Sequence, residues 1–272
     1  MGIPMSSSHV STIVKLFEKC RYKHDLYAVF SDWCQCAAIS LSNAVDLPKR
    51  DEREKQYLEV VRRYDPATLK VFPEILGAVV MALEEKPTDI LGQVFHALEL
   101  HNTARGQFFT PYSICEMMAK INLGSGDDIA AVMKGRGYIR AQEPACGSGA
   151  MVIALTEAMK DAGHNYQQCL HVTAIDIDRR AVHMAYIQFA LLQIPAVILE
   201  GNTLSLEFRD EWKTPAHVLD QWDAKFRLWD QIDRVKELCS SVSAPVSLPS
   251  VKANNLPTQD YAVEKTGQIR LF

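Results

Sequence analysis

Three short runs of strand-forming residues constrain this chain more than anything else in it: Tyr138–Gln142 (YIRAQ), His171–Ile175 (HVTAI) and Ala196–Glu200 (AVILE). Each ends in a turn, and amphipathic helical patterns lie between them, from Ala150 to Lys160 and from Arg179 to Leu192. Strand, helix, strand, helix, strand is the order of a parallel sheet joined by right-handed crossovers. Such a sheet gathers the carboxyl ends of its strands at one end, so the residues that follow each strand are the first place to look for chemistry.

The first hundred residues read as helix after helix. Val10, Ile13, Val14 and Phe17 share one face, and Tyr57, Val60, Val61 and Tyr64 another. A segment from Pro66 to Glu85 has a proline suited to its first turn and a second, Pro73, that should kink or split it. Thr88 and Asp89 offer a cap for a helix through Leu91, Val94, Phe95 and Leu98. Past the third strand, Leu219, Trp222, Phe226, Trp229 and Ile232 recur at three- and four-residue steps, predicting a long amphipathic helix whose aromatic stripe is core. From Ser240 onward the chain is rich in Ser, Pro, Asn and Ala, which reads as a flexible tail. The expected organisation is α/β, with a helical domain over 1–104, a partial Rossmann-like domain over 105–239 and a tail over 240–272.

Seven scattered cysteines do not form a disulfide framework, and Cys34 and Cys36 lack a second ligand pair for zinc. No apolar run approaches the ~20 residues of a membrane helix, and the start is too polar for a secretory signal, so a reducing cytoplasm is the expected setting. A net charge of −4 argues against a strong non-specific grip on nucleic acid. If this chain meets DNA, something else helps bring it there.

The most informative segment is Glu143–Gly149 (EPACGSG), between the first strand and its helix. Glycines there let the backbone turn tightly and lie close against a nucleotide-like ligand. The third glycine of the pyrophosphate fingerprint is missing, and an acid directly precedes the loop. Both features speak against a pyrophosphate, and the acid speaks for a ligand that carries a cation; S-adenosylmethionine carries an ammonium beside its sulfonium. Asp176 ends the second strand, where a carboxylate can bond both hydroxyls of a ribose. Asn202 follows the third, where it can pair with the edge of an adenine. A generic series of polar turn caps is the plainer reading of any one of these, but less so of three aligned strand ends.

In the order GQFFTP, EPACGSG, AIDID and GNTL, these segments resemble the adenine-N6 DNA methyltransferases, in particular the modification subunit of type I restriction-modification systems. The similarity runs from about Asp89 to Leu204. The resemblance implies an S-adenosyl-L-methionine cofactor, with Gln107, Phe108 and Thr110 lining its methionine end. Glu143 would meet the ammonium, Cys146, Gly147 and Gly149 would shape the loop, and Asp176 would hold the ribose. Asn202 stands where the family usually has Asp, which keeps one acceptor and loses a charge. DNA and further methyltransferase subunits are the partners implied.

Against an active enzyme stands a missing motif. In the family an Asp or Asn followed by Pro-Pro and an aromatic, at the end of the fourth strand, accepts hydrogen bonds from the adenine amino group and stacks on the flipped base. No Pro-Pro pair occurs in these 272 residues, and the stretch where the fourth strand belongs, from Trp212 to Gln231, reads as helix. Lys225–Trp229 (KFRLW) is at most a worn remnant of that strand. No catalytic residue is therefore assigned. The expectation is an S-adenosylmethionine-binding member of this family acting on or near DNA, with a catalytically inactive module recruited by partners as the alternative.

The chain closes on GQIRLF, where Gln268, Ile269, Leu271 and Phe272 resemble the peptide that binds the bacterial sliding clamp. Two adjacent apolar residues on a polar tail have reason to anchor in a pocket. Clamp tethering would raise the local concentration of an acidic protein at DNA without direct contacts. An apolar end folding back onto the body is the competing expectation.

Overall fold

The computed structural model describes residues 5–100, 110–124, 133–135, 137–242 and 268–270. Helices α1 (Met5–Glu18), α2 (Leu26–Ser42), α3 (Arg50–Val61), α4 (Pro66–Glu85) and α5 (Ile90–Ala97) come first, then α6 (Tyr112–Leu123). The α/β part follows as β1 (Ile139–Glu143), α7 (Ala150–Asp161), α8 (Tyr166–Cys169), β2 (Leu170–Asp176), α9 (Arg179–Leu191), β3 (Ala196–Asn202) and β4 (Glu207–Lys213). Helices α10 (Pro215–Leu219) and α11 (Trp222–Val242) and a short strand β5 (Gln268–Arg270) complete it. The sheet order is β4-β3-β2-β1-β5. Strands β1, β2, β3 and β5 run parallel, whereas β4 folds back antiparallel on β3.

Local chemistry explains most boundaries. Asp25, Asp65, Asp89 and Asp178 each cap a helix by accepting an amide from its first turn, which satisfies donors the helix cannot. Thr214 does the same for α10. Phe17, Phe30, Trp33 and Phe95 pack edge-on and tilted in the helical core, and the Trp33 indole donates to the Phe72 carbonyl at 3.0 Å. That core is continuous with the sheet's, because α9 packs both on β2 and β3 and against α2.

Several expectations are corrected here. Pro73 neither splits nor ends α4, which runs unbroken through it. Pro73 faces solvent, and burial of Val71, Phe72, Ile75 and Val79 on the other side outweighs one lost backbone bond. By length and composition α4 would also suffice to cross a membrane, contrary to the sequence estimate; its apolar side is packed into the core. The long helix predicted from Leu219 breaks at Asp220 and Gln221, leaving Leu219 exposed in α10. Of the aromatic stripe only Trp222 is fully buried, while Phe226, Trp229 and Ile232 are half-buried; Trp222, Phe226 and Trp229 close around Tyr138, and Trp222 and Phe226 also around His171. Lys225–Trp229 is helical within α11, so it is no strand remnant, and the helix continues past Ser240 to Val242. Residues 268–270 lie in register along β1, Arg140 opposite Gln268 and Gln142 opposite Arg270. An open edge of β1 offers unpaired amides and carbonyls, and an extended segment with strand propensity satisfies them.

Strand β4 is held to the helices by Arg53 of α3. This side chain is 2 % exposed and donates to the Ser42 hydroxyl, to Asp46 Oδ2 at 2.8 Å and to the Glu211 carbonyl at 2.8 Å, with its guanidinium 3.9 Å from the Trp212 ring centre. Lys49 adds an ion pair to Asp210 at 2.6 Å. Truncating one member of so enclosed a charge cluster strands the others. Arg53→Ala is expected to lower the unfolding free energy by about 3–5 kcal/mol, read as a drop in the urea midpoint; a loss under about 1 kcal/mol, the value of a surface pair, would disprove this anchoring.

Candidate functional site

The parallel register brings the expected residues to one end of the sheet. Glu143 is the last residue of β1, Asp176 the last of β2 and Asn202 the last of β3. Between β1 and α7, the Cys146 amide donates to the Ile175 carbonyl at 2.8 Å and the Gly147 amide to Asp176 Oδ2 at 2.8 Å, so the loop is pinned against the end of β2. Gly149 has a φ of 96°, and a Cβ there would run into the Phe189 ring of α9. Only glycine meets both demands. The Thr203 hydroxyl reaches across from the end of β3 to the Pro144 carbonyl at 2.6 Å and closes the ring of contacts.

The two acids differ in what they leave free. Glu143 is 2 % exposed; its Oε1 accepts the Ala145 amide at 3.1 Å, while Oε2 is buried with no hydrogen-bond partner among the described residues. Burial pushes its carboxyl up to about 7; the Ala145 amide works against the rise and the charge of Asp176 adds to it. A half-satisfied buried acid is costly alone and a strong seat for a cation. Asp176 is also raised by burial, opposed by the amides of Asp178 and Gly147 that its two oxygens accept. A carboxylate has about four acceptor sites, so both oxygens keep capacity for hydroxyl donors.

Asn202 is engaged differently from the expectation. Its Oδ1 accepts the Leu204 amide at 2.9 Å and that of Ser205 at 3.5 Å, turning the chain into the β3–β4 hairpin. Two amide donors fix the orientation of the side chain, so the acceptor foreseen for an adenine edge is committed to the turn and the amide hydrogens are what it presents. The Cys146 thiol is buried, and burial raises its pKa well above the ordinary range, so it fills space rather than reacts. Thr110 is exposed just ahead of α6. Cys115 of α6, raised to about 11 by burial, is also influenced by the charges of Asp89 and Glu143, which puts the start of this helix beside the site. Gln107 and Phe108 lie outside the described residues, as do Leu271 and Phe272; Gln268 and Ile269 belong to β5.

Other residues around the site had no role assigned from the sequence. Glu200, opposite Asp176 in the ladder and 2 % exposed, pairs with Arg179 at 2.8 Å and Arg209 at 3.5 Å. Ser148, within the glycine loop, meets Gln188 and Asp89 beneath it. Of these, Asp89 was legible, but only as a helix cap. Among the described residues no group of three His, Cys, Asp or Glu side chains has the arrangement to hold a metal.

Residues 87–224, just over half of the chain, match the family model for N-6 DNA Methylase. Among solved structures the chain is similar to a Listeria monocytogenes protein described as a class I S-adenosylmethionine-dependent methyltransferase, at 11% identity and a TM-score of 0.43, over 76% of this chain and 57% of that one. It is similar also to the type I restriction-modification system methyltransferase subunit from Streptococcus thermophilus, at 13% identity and a TM-score of 0.38, over 74% of this chain and 60% of that one. The chain thus spans about three-fifths of each of these structures. No curated protein matches it.

The strained acid gives the site a pH signature. The folded pKa of Glu143, about 7, lies above its ordinary value of 4.5, so its contribution to stability is present below pH 4.5 and lost as pH rises through about 7. Glu143→Gln keeps the shape without the titration. The variant is expected to match the parent near pH 4 and to exceed it by up to roughly 3 kcal/mol at pH 8, measured by urea unfolding of the ligand-free protein. A difference that does not change with pH would mean that Glu143 is already ionised and paired.

Proposed function

We propose, from the premise that the chain belongs to the N-6 DNA methylase family, that it binds S-adenosylmethionine at the carboxyl ends of β1, β2 and β3 and acts on or near DNA beside other subunits. The observation that carries this reading is Glu143 Oε2, a buried carboxylate oxygen without a partner among the described residues, one loop away from the Asp176 carboxylate. An ammonium answers the first and ribose hydroxyls answer the second. The glycine loop between them admits a ligand close to backbone. Gln107, Phe108 and Thr110 would close over the methionine end.

Methyl transfer to an adenine amino group asks for more than a cofactor, because that nitrogen's lone pair is delocalised into the ring. The 272 residues contain no Pro-Pro pair, and the segment from Trp212 onward supplies the end of β4 and two helices. The group that holds the base therefore comes from outside these residues, or no transfer occurs. We favour a cofactor-holding module that is catalytically silent by itself, in a cytoplasmic setting of bacterial, phage or plasmid origin. A second reading, recruitment by the replication sliding clamp, rests on Gln268, Ile269, Leu271 and Phe272. It requires that β5 leave β1, since the same backbone cannot pair with the sheet and lie in a clamp pocket.

Calorimetric titration with S-adenosylmethionine is expected to show one site, and Asp176→Ala to abolish the heat while the circular dichroism spectrum stays that of the parent; equal affinity of the variant would end the pocket assignment. In the same preparation, tritiated-methyl transfer to unmethylated DNA is expected to stay at background. Incorporation above background would place a catalytic group within this chain. Deleting the last five residues is expected to abolish clamp capture, and capture that survives the deletion would refute the peptide reading.

A further inference from the structure

We infer that Asp89, Ser148 and Gln188 form a buried clasp that sets the position of the glycine loop, making the helical region a positioning element of the ligand site. The inference rests on the reading of that loop as the seat of S-adenosylmethionine, and names residues that this reading does not use. The three side chains come from three segments far apart in sequence, the cap of α5, the loop itself and the middle of α9. All are buried, Ser148 and Gln188 fully and Asp89 to within 5 %.

Every hydrogen bond in the clasp has a determined direction. Asp89 Oδ2 accepts the Ser148 hydroxyl at 2.6 Å, and Oδ1 accepts the Gly92 amide at 2.9 Å and Gln188 Nε2 at 3.0 Å. Gln188 Nε2 also donates to the Ser148 carbonyl at 2.7 Å, and its Oε1 accepts the Leu91 amide at 3.1 Å. The Gln188 amide has one possible orientation, because two acceptors face its nitrogen and a donor faces its oxygen. Space is equally closed: a Cβ on Gly92 would collide with Asp89 Oδ2 and the Ser148 hydroxyl.

A helix cap needs only the bond to Gly92. The rest of the arrangement holds Ser148 by its hydroxyl and its carbonyl at once. Ser148 lies between Gly147, whose amide orients Asp176, and Gly149, which is wedged on Phe189 one residue past Gln188. A shift of Ser148 is therefore passed to the Asp176 carboxylate and to the backbone that would face a ligand. Asp89, Ser148 and Gln188 are positioning residues: they act through the loop.

The test compares Ser148→Ala and Asp89→Asn with the parent full-length chain, and includes Ser42→Ala, a buried serine bonded to Arg53, as a control for lost stability alone. Without ligand, amide hydrogen exchange of residues 145–149 is expected to accelerate at least roughly tenfold in both clasp variants and not in Ser42→Ala, the scale set by one hydrogen bond to a charged group. The dissociation constant for S-adenosylmethionine is expected to rise by a similar factor in the clasp variants and to stay unchanged in the control, since lost stability does not alter the affinity of molecules that remain folded. Loop exchange equal to the parent in both clasp variants overturns the inference, as does unchanged affinity. If the parent itself does not bind the cofactor, the site reading fails, and the clasp stands or falls on the exchange result.

Discussion

The 2.8 Å hydrogen bond from the Gly147 amide to Asp176 ties the turn after β1 to the end of β2, and the rest of the site is arranged around it. It takes one acceptor site of Asp176, the Asp178 amide takes another, and each oxygen keeps capacity to accept more. It also sets the loop beside a second acid, so that buried Glu143 and half-buried Asp176 share one corner of the fold with few donors between them. Burial leads the upward shift of both; the charge of Asp176 adds to that of Glu143, and the charge of Asp178 to that of Asp176. A protein that keeps such a corner forgoes stability there, as expected where a charged ligand is to supply the missing partner.

What resists that local strain is the helical region. It is no appendage: Arg53 stacks on Trp212 of β4, α2 lies on α9, and Asp89 reaches Ser148 inside the loop. The sheet is flanked at one side by the antiparallel β4, which the helices grip through Arg53 and Lys49, and its centre is backed by α9. Loop, sheet and helices thus form one continuous core, and a change in the helices has a physical route to the strand ends.

The sequence made the strand ends legible because parallel sheets impose their geometry locally: a β run, a turn with glycine and an acid, and an amphipathic helix suffice to place Glu143, Gly149 and Asp176. It left out whatever depends on partners distant in the chain. Glu207–Lys213 has charged residues at most positions and looks unlike a strand; it becomes one because Trp212 inserts beside His183 and Tyr186 while the ladder to β3 pairs its backbone. That Asn202 Oδ1 also turns the β3–β4 hairpin is visible only once β4 is known to pair with β3. Gln188 belongs to a helix that looks ordinary, and Ser148 is the residue of the glycine loop that the motif reading passes over; only their meeting with Asp89 gives them a role. Pro73 misled for the opposite reason, since burial on the far side of α4 outweighs a local rule.

The pairing of β5 with β1 bears on how such a module would work. In a parallel sheet the strand next to β1 on this side has its carboxyl end nearest to Glu143, so it is the place from which a group could approach a methyl donor seated on the loop. Here that place is taken by three residues, Gln268–Arg270, joined to α11 through a long intervening segment. A strand of three residues contributes few ladder bonds and no hairpin partner of its own, so its hold on β1 is weak beside that of β2, whose ladder spans the whole of β1. The edge is therefore covered rather than committed. The strand ends proposed to hold a ligand and this short edge strand lie side by side, so whatever pairs with β1 here borders on Glu143.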